Sequence, residues 1–197
     1  GLLEGLQAGK VVLLAVELNI GAGHELLVLA AQFRLLHQVG MADRHHVAAG
    51  IQVLHIWGNK NFHAGLTEQI DPGTGACYRP LAYVDHMAPL MATADTALAI
   101  PGGVVCAECA AMGVPLVLMG PARGHELINA ETLTESGAAI FSKDPRMIAE
   151  FTRKAITSAS RLKRMREALS TLSRPFAATD VAERVLRLTR VEFGDGA

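Results

Sequence analysis

Apolar positions along the chain gather into short, wholly apolar runs, and these alternate with longer stretches of helical character. Residues 11–17 are a dense β-branched and aliphatic run, followed by Asn19-Ile20-Gly21-Ala22-Gly23 and a helical stretch from 24 to about 37. Residues 51–57 predict a second buried strand, ended by Gly58-Asn59, with a polar helix from about 60 to 69 behind it. Asp71-Pro72-Gly73-Thr74-Gly75 is turn chemistry. A short strand over 80–84, a short helix over 87–93 and a strand over 97–100 come next. Pro101-Gly102-Gly103 then breaks the backbone before a helix of small residues, 104–112, with Gly113 where a C-cap glycine belongs. A strand over 115–119, a loop over 120–124, a helix over 125–136 closed by Gly137, and a last strand over 138–141 follow. The remainder predicts three helices, one opened by Asp144-Pro145, one near 161–172 and one near 178–190.

Strands that are apolar throughout and separated by helices bury both faces, which is the signature of a parallel sheet covered on each side. The expected fold class is therefore α/β, a doubly wound, Rossmann-like parallel sheet. Residues 1–173 would form the domain and 174–197 a C-terminal helical extension. Sheets of this kind bind ligands beyond the C-terminal ends of their strands, near the point where strand order reverses. The loops after Glu17, Trp57, Val84, Ile100 and Met119 are thus the informative ones.

Composition narrows the function classes. Half of the 197 residues are apolar, enough for one buried core, and the formal net charge of −1 argues against a dedicated nucleic-acid binder. Basic residues concentrate after Lys143, from Arg153 and Lys154 through Arg161, Lys163, Arg164, Arg166, Arg174, Arg184 and Arg187 to Arg190. That bias fits either the solvated face of terminal helices or contact with anionic lipid headgroups. No apolar run approaches the roughly 20 residues of a membrane span, and no secretory signal is visible. Three cysteines suit a reducing cytosol better than a disulfide framework.

Pro101-Gly102-Gly103 is the strongest local feature. A strand delivers two glycines to a helix start, where amides lack helical acceptors and phosphate oxygens can approach unhindered. The same residues also make an ordinary tight strand–helix turn. Glu108, one turn further on among small residues, is either a solvent-facing acid or a carboxylate within reach of ribose hydroxyls. Arg123-Gly124-His125-Glu126 with Asn129 forms a second polar cluster at a strand–helix loop, or else simple helix capping. Cys106 and Cys109 are spaced C-x-x-C, but Cys77 is the one other cysteine and no thioredoxin-like context surrounds them, so packing is the expected role. No metal site and no acid–base dyad or Ser/His/Asp set stands out, so catalytic residues stay unassigned.

Taken in order, these segments resemble the C-terminal half of the glycosyltransferases related to monogalactosyldiacylglycerol synthase and the diacylglycerol glucosyltransferases. More distantly they resemble the transferase that adds N-acetylglucosamine to peptidoglycan precursors. The likeness runs through Tyr83-Val84-Asp85-His86-Met87-Ala88-Pro89-Leu90-Met91-Ala92-Thr93-Ala94-Asp95, Pro101-Gly102-Gly103, Glu108 and Gly113-Val114-Pro115. It continues through Gly124-His125-Glu126, Asn129-Ala130 and Gly137-Ala138-Ala139. The resemblance implies the C-terminal half of a two-domain glycosyltransferase-B fold that binds a UDP-sugar as substrate, without metal or other cofactor. It implies that the backbone near Val84 meets uracil, that Gly102, Gly103, Val104 and Val105 offer amides to the diphosphate, and that Glu108 binds the ribose. His125 and Glu126 would lie against the donor sugar, Asn129 would support that loop, and Gly21 would face the interdomain cleft.

The sequence departs from the family at several of these points. Ala15, Val16 and Glu17 stand where the family has a run of glycines, Val105 where a hydroxyl residue is usual, Ile100 where Lys or Ser is common, and His125 where glutamine is usual. Each change removes a close backbone approach or a polar contact, and a lost hydrogen bond to a charged group costs roughly 1.5–3 kcal/mol. The expected function is inverting, metal-independent hexosyl transfer from a UDP-sugar to a lipid acceptor, at the cytoplasmic face of a membrane. The acceptor domain and base would come from an N-terminal domain or a separate subunit. A degenerate nucleotide-sugar-binding or interaction module, and a UDP-sugar epimerase on the same fold, are the alternatives.

Overall fold

The computed structural model describes residues 10–15, 51–62, 65–70, 72–73, 75, 77–120 and 122–193. Gly21, the departures at Val16 and Glu17, and the expected helix over 24–37 lie outside the described residues. A seven-stranded sheet runs β3-β4-β2-β1-β5-β6-β7, built from β1 (Lys10–Ala15), β2 (Ile51–Ile56), β3 (Gln69–Ile70), β4 (Cys77–Leu81), β5 (Thr96–Ala99), β6 (Leu116–Met119) and β7 (Ala139–Ser142). Every pairing is parallel except that of the two-residue edge strand β3 with β4. β1 pairs with β2 on one side and with β5 on the other. Strand order reverses there, which makes the C-terminal ends of β1 and β5 the switch point of the sheet.

Alternate side chains of each central strand enter different layers, as the period of two requires. Leu54, Ile56, Ala97, Leu116 and Leu118 pack with Leu90 and Met91 of α2 (Met87–Thr93), Cys106 and Cys109 of α3 (Gly103–Met112), Ala130 and Leu133 of α4 (His125–Glu135), and Leu169 of α6 (Ala159–Leu172). Val12, Val53, Leu98, Val117 and Met119 pack with Ile148, Ala155 and Ile156 of α5 (Pro145–Ile156). All residues of β2, β5 and β6 are buried, which is why their sequences are predominantly apolar, with Gln52, His55 and Thr96 the buried polar residues among them.

Two expectations are corrected. Among the described residues the polar stretch after β2 is helical over α1 (Gly58–Asn61), and Gln69–Ile70 forms the edge strand where more helix was expected. The strand expected over 80–84 lies at Cys77–Leu81 instead. Pro80 sits beyond the reach of β3 at the sheet edge, where a missing N–H is tolerated. The remaining boundaries lie within a few residues of those expected. Gly113 closes α3 at φ 67°, with Val114 N–H donating to Cys109 O at 2.9 Å, a left-handed cap that favours glycine.

Asp95 joins three elements at the N-terminal edge of the sheet. Its carboxylate accepts from Val11 N–H at 3.0 Å and from Lys10 Nζ at 3.0 Å, and Arg166 Nη2 on α6 lies 3.6 Å away. Its own N–H donates to Val11 O at 2.8 Å. α7 (Ala177–Phe193) ends the described chain, and every residue over 177–189 is exposed, including Val181, Val185, Leu186 and Leu188.

Candidate functional site

The C-terminal ends of β4, β5 and β6 bring three loops to one edge of the sheet. After β5 the chain turns tightly through Pro101, with Gly102 N–H donating to Ile100 O at 2.7 Å. Gly102 is the N-cap of α3, and no side chain caps this helix. The first bond of the helix ladder is Cys106 N–H to Gly102 O at 3.1 Å, so the amides of Gly103, Val104 and Val105 have no helical acceptor. Of the four amides expected to face a diphosphate, Gly102 thus builds the turn and the other three point out of the helix end. They carry the positive end of a ten-residue helix dipole.

α3 buries Cys106, Cys109 and Ala110 and exposes Gly103, Val104, Ala107, Glu108 and Ala111. Val104 and Glu108 are four apart and therefore share the exposed face. At a rise of about 1.5 Å per residue, the Glu108 backbone lies about 6 Å along the axis from the free amides. An exposed carboxylate one turn beyond an anion seat suits a ligand whose hydroxyl-bearing ring follows its phosphates.

The loop after β6 reaches α4 through Gly124, at φ 53° and ψ −125°, a conformation that a Cβ forbids. This sharp turn starts α4 at His125, which is exposed, with Glu126 half-buried in the same first turn. Asn129, one turn on, is half-buried, and its side-chain amide donates to Pro101 O at 3.0 Å. The loop that starts α4 and the glycine loop are thereby joined by a hydrogen bond across 28 residues of sequence.

After β4, Val84 buries its side chain in the core, so its backbone is what it can offer a ligand. The adjacent Tyr83 N–H donates to Asn59 Oδ1 at 3.1 Å, which ties this loop to the end of β2. Asn59 reads in the sequence only as a turn residue, and nothing local signals a partner 24 residues away. The site therefore gathers Val84, Gly102, Gly103, Val104, Val105, Glu108, His125, Glu126 and Asn129 on the loops of one sheet edge. Gly21 is outside the described residues.

Cys106 and Cys109 are buried free thiols, and burial pushes them up to about 11 and about 12, respectively. Neither is the low-pKa, accessible thiol of redox chemistry. Among the described residues no group of three or more metal-ligating side chains occurs. A buried polar cluster lies in the layer of α5. His55 Nδ1 is 2.8 Å from Tyr78 Oη, which also accepts from Trp57 Nε1 at 3.1 Å, and the His55 and Trp57 rings stack at 4.3 Å. Burial lowers His55 to about 3, so the ring is neutral.

Comparison with known proteins gives the family of the chain. Residues 26–185 match the glycosyltransferase family 28 C-terminal domain. An N-acetylglucosamine transferase of Thermobifida fusca, named for transfer to N-acetylmuramyl-(pentapeptide) pyrophosphoryl-undecaprenol, is 33% identical over 150 residues, covering 73% of this chain and 39% of that protein. A processive diacylglycerol beta-glucosyltransferase of Bacillus cereus is 30% identical over 110 residues, covering 56% of this chain and 28% of that protein. The crystal structure of Acinetobacter baumannii MurG superposes with a TM-score of 0.66 at 18% identity, over 91% of this chain and 50% of that one. The chain thus spans well under half the length of these two sequence relatives. On a family match that takes in both the glycine loop and the α4 loop, the chain belongs to glycosyltransferase family 28, as its C-terminal domain.

Proposed function

We propose that this chain is the donor-binding half of an inverting, metal-independent hexosyltransferase that moves sugar from a UDP-sugar to a lipid hydroxyl. The observation that carries the reading is the uncapped first turn of α3 at the switch point, with three free amides and Glu108 one turn on. Oriented amides in place before reaction stabilise charge on a departing diphosphate, the preorganised electrostatics that dominate many such reactions. Glu108 holds the ribose hydroxyls, the Val84 backbone meets uracil, and His125 and Glu126 face the sugar. The UDP-sugar is a substrate, and no further cofactor is needed.

The acceptor site and the base lie in an N-terminal half or a partner subunit, and Gly21 faces that cleft. Two features support such a partner: the short coverage of the relatives, and the exposed apolar side chains of α7. A lipid acceptor is supported by the two relatives, one named for transfer to a pyrophosphoryl-undecaprenol and one for glucosyl transfer to diacylglycerol. We assign the protein to the cytoplasmic face of a membrane as a peripheral enzyme. No described helix is long and apolar enough to cross a membrane, and the basic α6 surface suits anionic headgroups.

Calorimetric titration with UDP tests the donor site. Glu108 is exposed, so Glu108→Ala leaves stability intact while removing hydrogen bonds to a charged acceptor, a loss of about 1.5–3 kcal/mol or roughly 10- to 150-fold in Kd. Gly103→Leu blocks the approach to the free amides. Unaltered UDP binding in both variants would refute the site. UDP binding by the full-length protein with no transfer from any UDP-sugar would leave the non-catalytic module as the function.

A further inference from the structure

We infer that Asn129 is a positioning residue that sets the diphosphate seat through Pro101, rather than a group that touches the donor sugar. The inference rests on the donor-site reading above and deepens it. Three observations lead to it. Asn129 Nδ2 donates to Pro101 O at 3.0 Å, so one of its two N–H donors is already engaged with the glycine loop. A Cβ built on Gly103 would lie 4.0 Å from the same Nδ2, which places the Asn129 amide against the first helical residue of α3. The turn that Pro101 belongs to is otherwise held by one short bond, Gly102 N–H to Ile100 O, and no side chain caps α3 from within its own loop.

The physical consequence is directional. Anion binding by backbone amides depends on their aim, and a seat that tilts by a fraction of an ångström loses contacts without unfolding. The Pro101 carbonyl and the Gly102 N–H share one peptide plane, and their two hydrogen bonds, from Asn129 Nδ2 and to Ile100 O, together fix that plane. Asn129 supplies it from α4, the helix that begins at His125. A shift of α4 is thereby passed to the amides of Gly103, Val104 and Val105, and the two ligand loops bind as one unit.

The test compares ligands that differ only in phosphate and sugar. Affinities of uridine, UDP and a UDP-hexose are measured by competition or calorimetry on the full-length polypeptide, unaltered and with Asn129→Ala and Asn129→Leu. Leucine keeps the volume and loses the donor, and thermal midpoints check folding. The expected result in both variants is a five- to tenfold weaker UDP, a UDP-hexose weakened by the same factor, and uridine changed less than twofold. Weakening of the UDP-hexose with UDP unchanged would mean that Asn129 contacts the sugar directly, and would overturn the inference. Equal loss for uridine and UDP with a lowered midpoint in both variants would mean general structural damage, and would also overturn it. Failure of unaltered protein to bind UDP would strike the donor-site reading itself, and is distinguishable because it needs no variant.

Discussion

His55 makes stability depend on pH in a way that can be calculated. It is 1% exposed, lies on the central strand β2, and is held neutral by burial, its pKa lowered to about 3 from an ordinary 6.5. The unfolded chain therefore takes up a proton below pH 6.5 that the folded chain refuses until about pH 3, so stability falls as pH drops through that window. Between pH 7 and pH 5 the linkage integrates to about 2 kcal/mol from this one group, a large share of an ordinary domain's stability. The assay is urea denaturation at both pH values, followed by fluorescence of Trp57, the single tryptophan, whose ring stacks on His55. The other seven histidines are removed by difference. His55→Leu should be less stable than the parent at pH 7, because Tyr78 loses a hydrogen-bond partner, yet lose about 2 kcal/mol less on going to pH 5. An identical pH dependence in the two proteins would show that His55 takes up its proton in the folded state, and would refute the reasoning.

Other expectations follow from single contacts. Asp95→Ala removes a charge-assisted bond to the Val11 amide and should cost about 2 kcal/mol, whereas Lys10→Ala, breaking a half-exposed ion pair with the same carboxylate, should cost under about 1 kcal/mol. Equal losses in denaturation would contradict that division. Gly124→Ala forces a Cβ into φ 53°, ψ −125° and should cost about 1–3 kcal/mol, while UDP-hexose binding weakens more than UDP binding. A thiol reagent at pH 7.5 should react with Cys106 and Cys109 only on unfolding, and rapid labelling of the native protein would show that they are not buried packing residues.

The parts of the fold legible in the sequence are those whose cause is local. β5 and β6 read as buried strands because both of their faces are covered, and Gly113 reads as a cap because a left-handed residue is needed where α3 stops. The glycine loop and its free amides were legible for the same reason, since Pro101-Gly102-Gly103 carries its turn chemistry within three residues. The edge strand β3 was not, because Gln69 and Ile70 become a strand only by pairing with Tyr78 and Cys77, supported by the ion pair of Glu68 with Arg79. A polar stretch of that kind has no period of its own. The contacts Asn129 to Pro101 and Asn59 to Tyr83 were hidden likewise, as each joins loops brought together only when the sheet closes. His55 reads as an unremarkable histidine until Tyr78 on the next strand is set beside it.

The junction at Asp95 lies on the edge of the sheet opposite the glycine loop and the loop before α4, and this separation bears on how such a domain can vary in sequence. Substitutions far apart with no shared partners add in their effects. Ile100, Val105 and His125 can therefore be exchanged without loosening the bonds that hold β1 and α6 to Asp95. A lineage is free to vary the rim that carries the glycine loop while the opposite rim keeps the chain folded.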